Sequence, residues 1–279
     1  MMAFDDGVGL DDKQPYLEGL LRSLGRVAVA YSGGVDSTYL LAVAADVLGC
    51  DNVLALTVAS ELTSMREVAL AQEMASCLGV RHQLLPFQAL SVGDIAANPP
   101  DRCYFCKREM LQRIVMAAAA EGFSNLIHGA NQDDRCDYRP GMRAAVELSV
   151  RAPLEEAGLT KAEIRELSRR RGLPTWNRPS QACLASRVPY HTPLTVENLQ
   201  RIRAAEEYVR DRLGVQALRV RDHFPVARIE VEPSDWPAFL AEDARDTLVA
   251  EFRRLGYRYV ALDLTGLRSG SMNELLEAS

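Results

Sequence analysis

Hydrophobic and polar positions follow one rhythm up to about Pro179 and another after it. Residues 26–31 form a short apolar run with β-branched side chains, which predicts a strand. A glycine turn follows, and residues 39–44 then carry a helical pattern. The unit repeats: residues 52–58 predict a strand, 63–78 an amphipathic helix, 82–86 a short strand, 108–121 a helix and 125–129 the next strand. Another helix is expected from Thr160. Strands alternating with helices imply an open, doubly wound parallel sheet of the α/β class, whose ligands lie at the carboxyl ends of the strands. Beyond Pro179, residues 197–213 predict a charged amphipathic helix. Residues 217–221 and 227–231 alternate like strands, 236–255 read as one helix and 257–264 as a closing strand. The expectation is a main domain over residues 1–180 and a smaller α+β domain over 181–279. The proline-rich stretch 174–193 between them is where an active site shared by two domains would be covered.

Composition narrows the partners. The 279 residues are 48% hydrophobic and 25% charged, a globular balance. Thirty-two Lys and Arg against 38 Asp and Glu leave a net charge of −6. That argues against a uniformly basic nucleic-acid-binding surface and leaves room for a local cationic pocket for one anionic small molecule. No apolar run reaches the ~18 residues of a membrane span, and the acidic start lacks the basic and apolar regions of a secretory signal. A soluble, cytoplasmic chain is expected. Six cysteines, two of them in the C-x-x-C of Cys103 and Cys106, read as reduced thiols for metal or redox work rather than as a disulfide scaffold.

The strongest chemical signal is Ser32-Gly33-Gly34-Val35-Asp36-Ser37-Thr38. A strand that ends in small residues and opens a helix turns several backbone N–H groups toward one point, where the helix dipole favours negative charge. Ser32, Ser37 and Thr38 add hydroxyl donors. Asp36, an acid in an anion site, makes sense if Mg²⁺ bridges it to a phosphate chain. The second glycine has no Lys after it, so this is not the P-loop of nucleoside triphosphatases. After the strand at 125–129 comes Gly129-Ala130-Asn131-Gln132-Asp133-Asp134-Arg135, where Gly129 and Asn131 fall at the nucleotide and Asp134 can complete the Mg²⁺ site. A third isolated cysteine, Cys183, lies in a proline-bounded loop. With Cys103 and Cys106 it could ligate three corners of a 4Fe–4S cluster, leaving one iron open to carry a sulfide.

The string S-G-G-x-D-S resembles that of the PP-loop ATP pyrophosphatases, which cleave ATP to AMP and pyrophosphate while a substrate oxygen carries the AMP. G-A-N-x-D-D, R-P-G-x-R-A and C-L-A-S-R-x-P-Y further resemble the LarE family of ATP-dependent sulfur transferases, and the resemblance covers nearly the whole chain. It implies a small-molecule substrate, a pyridinium mononucleotide whose carboxylates are adenylated and converted to thiocarboxylates for the nickel-pincer nucleotide cofactor of lactate racemase. ATP and Mg²⁺ are the implied cofactors. Cys183 matches the sulfur-handling cysteine, and Arg219 and Arg221, two apart on a strand, match a clamp for the ribose phosphate. Arg187, Arg228 and Glu230 are weaker matches for substrate contacts. The family implies two sulfur sources: a single cysteine that gives up its own sulfur and ends as dehydroalanine, or a cluster-held sulfide. The trio Cys103, Cys106 and Cys183 favours the second. A homo-oligomer is expected, with neither nucleic acid nor membrane as partner. An ammonia-using synthetase of the NAD or GMP synthetase kind, which needs no reactive cysteine, and a nucleotide-binding regulator that keeps the loop without turnover are the alternatives.

Overall fold

The structure, a computed structural model, describes residues 9–135, 140–179 and 182–268. In chain order the first elements are α1 (Leu10–Leu24), β1 (Val27–Ala30), α2 (Val35–Leu48), β2 (Val53–Ser60), α3 (Met65–Cys77), β3 (Arg81–Phe87) and α4 (Gly93–Ala96). Next come α5 (Arg102–Ala120), β4 (Asn125–His128), α6 (Pro140–Glu147), α7 (Pro153–Glu156) and α8 (Lys161–Arg170). The last are α9 (Val196–Leu213), β5 (Leu218–His223), β6 (Val226–Val231), α10 (Trp236–Leu240), α11 (Glu242–Arg254) and β7 (Tyr259–Leu262). These elements form two compact units. One comprises residues 1–87 and 101–181, the other residues 88–100 and 182–279.

In the first unit four parallel strands run in the order β3-β2-β1-β4. Val27, Ala28 and Val29 of β1 are buried between neighbours on both sides, the unbroken apolar run of a sheet covered on both faces. Helix α2 is buried almost all round, with Tyr39, Leu40, Leu41 and Val43 fully covered, and Leu17, Leu21, Ile164 and Leu167 of α1 and α8 close the same core. Each such side chain contributes roughly 1.5–3 kcal/mol of burial. Because β2 extends the sheet on one side of β1 and β4 on the other, the chain reverses its direction of sheet growth at β1, where a crevice opens at the carboxyl ends. The register sets Ala30 beside His128, so the turns after β1 and β4 are neighbours.

The second unit has a three-stranded sheet, β5-β6-β7, antiparallel at the first pairing and parallel at the second. Leu218 and Val220 point into a core with Ala205, Val209, Ile229 and Phe252, which sends Arg219, Arg221 and His223 to the opposite face. Helix α9 starts on a capping box between Thr195 and Asn198 and stops at Gly214 in the left-handed region. Residues 88–100 join this unit through Asn98, whose side-chain amide donates to the carbonyls of Pro189 and Thr192 at 2.8 and 3.0 Å.

Three elements differ from the expected ones. Helix α5 begins at Arg102, one residue beyond Pro99-Pro100, so the C-x-x-C pair sits on its first turns rather than before it. The single helix expected over 236–255 is two, broken at Ala241, whose ψ of 134° is extended. The closing strand is only Tyr259–Leu262. Among the described residues no helix is long and apolar enough to cross a membrane.

Candidate active site

The glycine turn joins β1 to α2. Ser32 and Ser37 face each other across it, Oγ to Oγ at 3.1 Å, and Ser37 Oγ donates to the Gly34 carbonyl at 3.3 Å. Gly33 has φ +72°, and a Cβ there would stand 2.8 Å from the Ala71 Cβ, so both conformation and space require glycine. No side chain caps the start of α2, which leaves its first-turn amides to an outside acceptor. Thr38 is buried, with Oγ1 3.2 Å from the Tyr31 hydroxyl, and so braces the turn from beneath. Gly129 serves by its size: a Cβ there would lie 2.8 Å from the Ser37 amide nitrogen. Its smallness lets the β4 turn abut the start of α2.

Asp36 Oδ2 receives Lys161 Nζ at 2.5 Å, while Oδ1 is buried with no hydrogen-bond partner. Burial raises the Asp36 pKa, opposed by Lys161 and reinforced by the charge of Asp134. Asp134 accepts from the Asn131 amide at 3.0 Å, and Asp133 accepts from the Lys161 amide at 2.9 Å. Asn131 Oδ1 in turn accepts from the Asp133 amide, so this asparagine shapes the acidic turn. A hard divalent cation fits this chemistry, because an orphaned carboxylate oxygen beside a second carboxylate is a demand for positive charge. Arg178 ties the turn to α3: it donates to the Gly33 carbonyl at 3.1 Å and to both oxygens of Glu67 at 2.8 and 2.7 Å.

A cleft of about 150 Å³ opens beside the turn, lined by Tyr31, Ser32, Thr57, Val58, Glu67 and Lys107 among others. His82 Nε2 lies 2.8 Å from Thr57 Oγ1, which itself donates to the Tyr31 carbonyl at 2.8 Å, fixing that wall. Lys107, on α5 next to Cys106, is held below the usual lysine pKa by burial. Among the described residues its ammonium has no hydrogen-bond partner. His128, buried at the end of β4, is pushed down to about 3 by burial and then by the Lys107 charge. Lys107, Lys161 and Arg178 were not singled out from the sequence; the K in C-x-x-C-K was the one available hint.

In the second unit Cys183 is exposed, at the start of a short turn over Leu184–Arg187. Arg187 is buried under it, donating to the carbonyls of Ala182 and Cys183 at 2.8 and 3.2 Å and to Glu206 at 2.8 Å. Glu206 also accepts from Arg210 and from the Val220 amide, and these charges keep its pKa below the usual carboxylate value despite burial. Arg221 is likewise buried, bound to Glu230 and to the Ser186 carbonyl, both at 2.6 Å. Arg228 pairs with Glu230 and Asp263. Three expected substrate contacts, Arg187, Arg221 and Glu230, are therefore committed to an internal ion network. Arg219 differs. It donates to the Arg268 carbonyl at 2.7 Å, and burial and the charges of Arg221 and Arg187 press its pKa down. Here a basic group meets like charges, offset more weakly by Glu230 and Glu206, and makes no ion pair among the described residues.

Cys103 and Cys106 stand three positions apart on α5, hence on one face, the first exposed and the second half-buried. Cys183 belongs to the other unit. Among the described residues no group of three or more His, Cys, Asp or Glu side chains is placed to hold a metal ion.

The sequence profile of the asparagine synthase family matches residues 17–113, which span β1 to most of α5. The argininosuccinate synthase of Halobacterium salinarum is 32% identical over 54% of this chain and 40% of its own length. An uncharacterized protein of Synechocystis, slr1717, is 42% identical over 96% of this chain and 99% of its own length. The pyridinium-3,5-bisthiocarboxylic acid mononucleotide synthase of Lactiplantibacillus plantarum is 40% identical over 96% of both chains. With that identity over that coverage, the chain belongs to the family of this synthase, the LarE family of PP-loop ATP-dependent sulfur transferases.

Proposed function

We propose that the protein uses ATP to adenylate the carboxylates of a pyridinium mononucleotide and then replaces a carboxylate oxygen by sulfur, making a thiocarboxylate for a nickel-pincer nucleotide cofactor. The observation that carries the reading is the turn between β1 and α2. Uncapped amides, the Ser32 and Ser37 hydroxyls and the Asp36 carboxylate with its orphaned oxygen converge there beside the cleft.

The first unit handles ATP. The cleft between Tyr31, Thr57 and α5 receives the nucleoside end, the turn's amides and hydroxyls bind the phosphates, and Lys107, which lines the cleft, offers its ammonium to the anionic centre. Asp36 and Asp134 would hold Mg²⁺, which when bound neutralises the phosphate chain and eases departure of pyrophosphate. The substrate carboxylate oxygen attacks the α-phosphorus, pyrophosphate leaves, and the acyl adenylate is then open to sulfur. In the second unit Arg219 supplies a cation to the substrate phosphate. The other arginines hold the strand and the Cys183 turn in place.

For the sulfur, the reading keeps two sources. In one, Cys103, Cys106 and Cys183 would ligate a cluster that supplies a sulfide, a role for which Cys103 and Cys106 stand on one face of α5. The alternative makes Cys183 itself the donor. Its thiolate displaces AMP to form a thioester, a base removes the Cα proton, and elimination releases the thiocarboxylate and leaves dehydroalanine.

One experiment tests both levels. Anaerobically purified protein is incubated with ATP, Mg²⁺, sulfide and the pyridinium-3,5-dicarboxylate mononucleotide, and the product, AMP, pyrophosphate, iron and intact protein mass are followed. Thiocarboxylate formed with AMP and pyrophosphate is expected, with iron present and the protein mass unchanged after several turnovers. Loss of the elements of hydrogen sulfide from Cys183 in a single turnover would establish the sacrificial route. Amide formation from ammonia, with Cys183→Ala fully active, would establish an ammonia-using synthetase instead.

A further inference from the structure

Lys161 occupies a position that its own helix does not favour. It is the first residue of α8, where the dipole presents positive potential and a cation is unfavourable. The helix is started by the Thr160 and Glu163 capping box and needs nothing from the lysine side chain. The Lys161 amide is fastened to Asp133, and the side chain reaches Asp36, 125 residues earlier in the chain. There it meets one carboxylate oxygen, while the other stays buried and unpartnered and the charge of Asp134 lies close by. A monovalent donor thus satisfies half of a carboxylate whose surroundings call for more positive charge. The pair is partly open to solvent, 31% for the lysine and 20% for the aspartate, and such pairs are weak enough to exchange partners.

We propose that Lys161 is a placeholder cation: it neutralises Asp36 until a divalent metal arrives, and then, displaced by the metal's larger charge, turns its ammonium to the pyrophosphate that the turn holds. This gives Lys161 two successive partners, the carboxylate and the leaving group, and makes it a catalytic residue for the pyrophosphate-releasing step. The device also raises the metal concentration needed before ATP arrives, since metal alone must compete with the ammonium, whereas metal with phosphates offers the ammonium a new anion. The inference rests on Asp36 being the metal-bearing acid of the proposed reaction.

The test uses Mn²⁺ as a paramagnetic probe on the full chain without ATP, by titration of free Mn²⁺, followed by calorimetric titration of pyrophosphate at saturating Mn²⁺. Lys161→Met, which keeps the length and removes the charge, is expected to bind Mn²⁺ at least tenfold more tightly than the unsubstituted protein. The same variant is expected to bind pyrophosphate at least tenfold more weakly, and Lys161→Arg to recover most of that loss. Equal Mn²⁺ affinity in Lys161→Met would overturn the placeholder role, and equal pyrophosphate affinity would overturn the transfer to the leaving group. Asp36→Asn separates the two levels: if it binds Mn²⁺ as well as the unsubstituted protein, Asp36 is not the metal-bearing acid and the underlying assignment fails with it.

Discussion

Arg219 and Arg221 share a strand face, yet their surroundings set them different tasks. Arg221 is 2% exposed and locked to a Glu230 that is 0% exposed, so Arg221→Ala would strand a buried carboxylate. The expected cost is about 3 kcal/mol of stability, moderated by the remaining contact from Arg228. Arg219 makes no ion pair among the described residues, and Glu230 and Glu206 act on it only through longer-range charge. Arg219→Ala is expected to unfold at nearly the same denaturant concentration as the unsubstituted protein and to raise KM for the phosphorylated substrate but not for its nucleoside. Equal losses for both substrates would make Arg219 structural. His128 adds a pH dependence of known sign. Its folded pKa of about 3 lies below the unfolded value of 6.5, so the unfolded chain binds the proton first. Stability is full above about pH 6.5 and falls by roughly 1.4 kcal/mol per unit as the pH drops toward 3. His82 and His223 are shifted in the same direction by burial. Denaturant titrations at pH 7 and pH 5 should show a smaller difference for His128→Leu; parallel losses would remove His128 as the cause.

At the scale of the elements, two turns work as one because β4 carries glycine where it meets α2. Gly129→Ala is expected to keep the fold while pushing the Ser37 amide aside, lowering ATP affinity at least tenfold by equilibrium binding. Unchanged affinity would mean that the turns are independent. The strands, the helices between them and the glycine turn were legible because period and turn chemistry are local properties of the chain. The start of α5 was misjudged although Pro99-Pro100 marked it, since residues 101–109 put four consecutive apolar or aromatic side chains, Cys103 to Cys106, between charged ends and so show no helical period. The break at Ala241 carries no glycine and follows Pro237 by four residues, so a continuous helix was the natural reading. The Lys161 and Arg178 contacts were invisible for another reason: they join residues 125 and 111 or more positions apart, and an isolated Lys or Arg looks the same whether it faces water or an acid. The arginines of β5 were legible as a shared face, but their division into buried struts and one open cation depends on Glu206 and Glu230.

For the molecule as a whole, the division of chemistry follows the division of the chain. The first unit carries the phosphate turn and the acids, and the second carries Cys183 and the arginine strand. In the second unit one carboxylate, Glu206, joins the Cys183 turn through Arg187, helix α9 through Arg210 and strand β5 through the Val220 amide, while Arg221 adds a second tie from β5 to Ser186. The thiol-bearing turn and the strand that presents Arg219 are therefore one rigid piece. In the proposed reaction the span from the Cys183 sulfur to a phosphate held by Arg219 would then be a fixed length, and the second unit would act as a gauge. A nucleotide whose carboxylate stood too near to or too far from its phosphate would fail to react however tightly it was held, so that selection would be made by measuring the substrate rather than by gripping it.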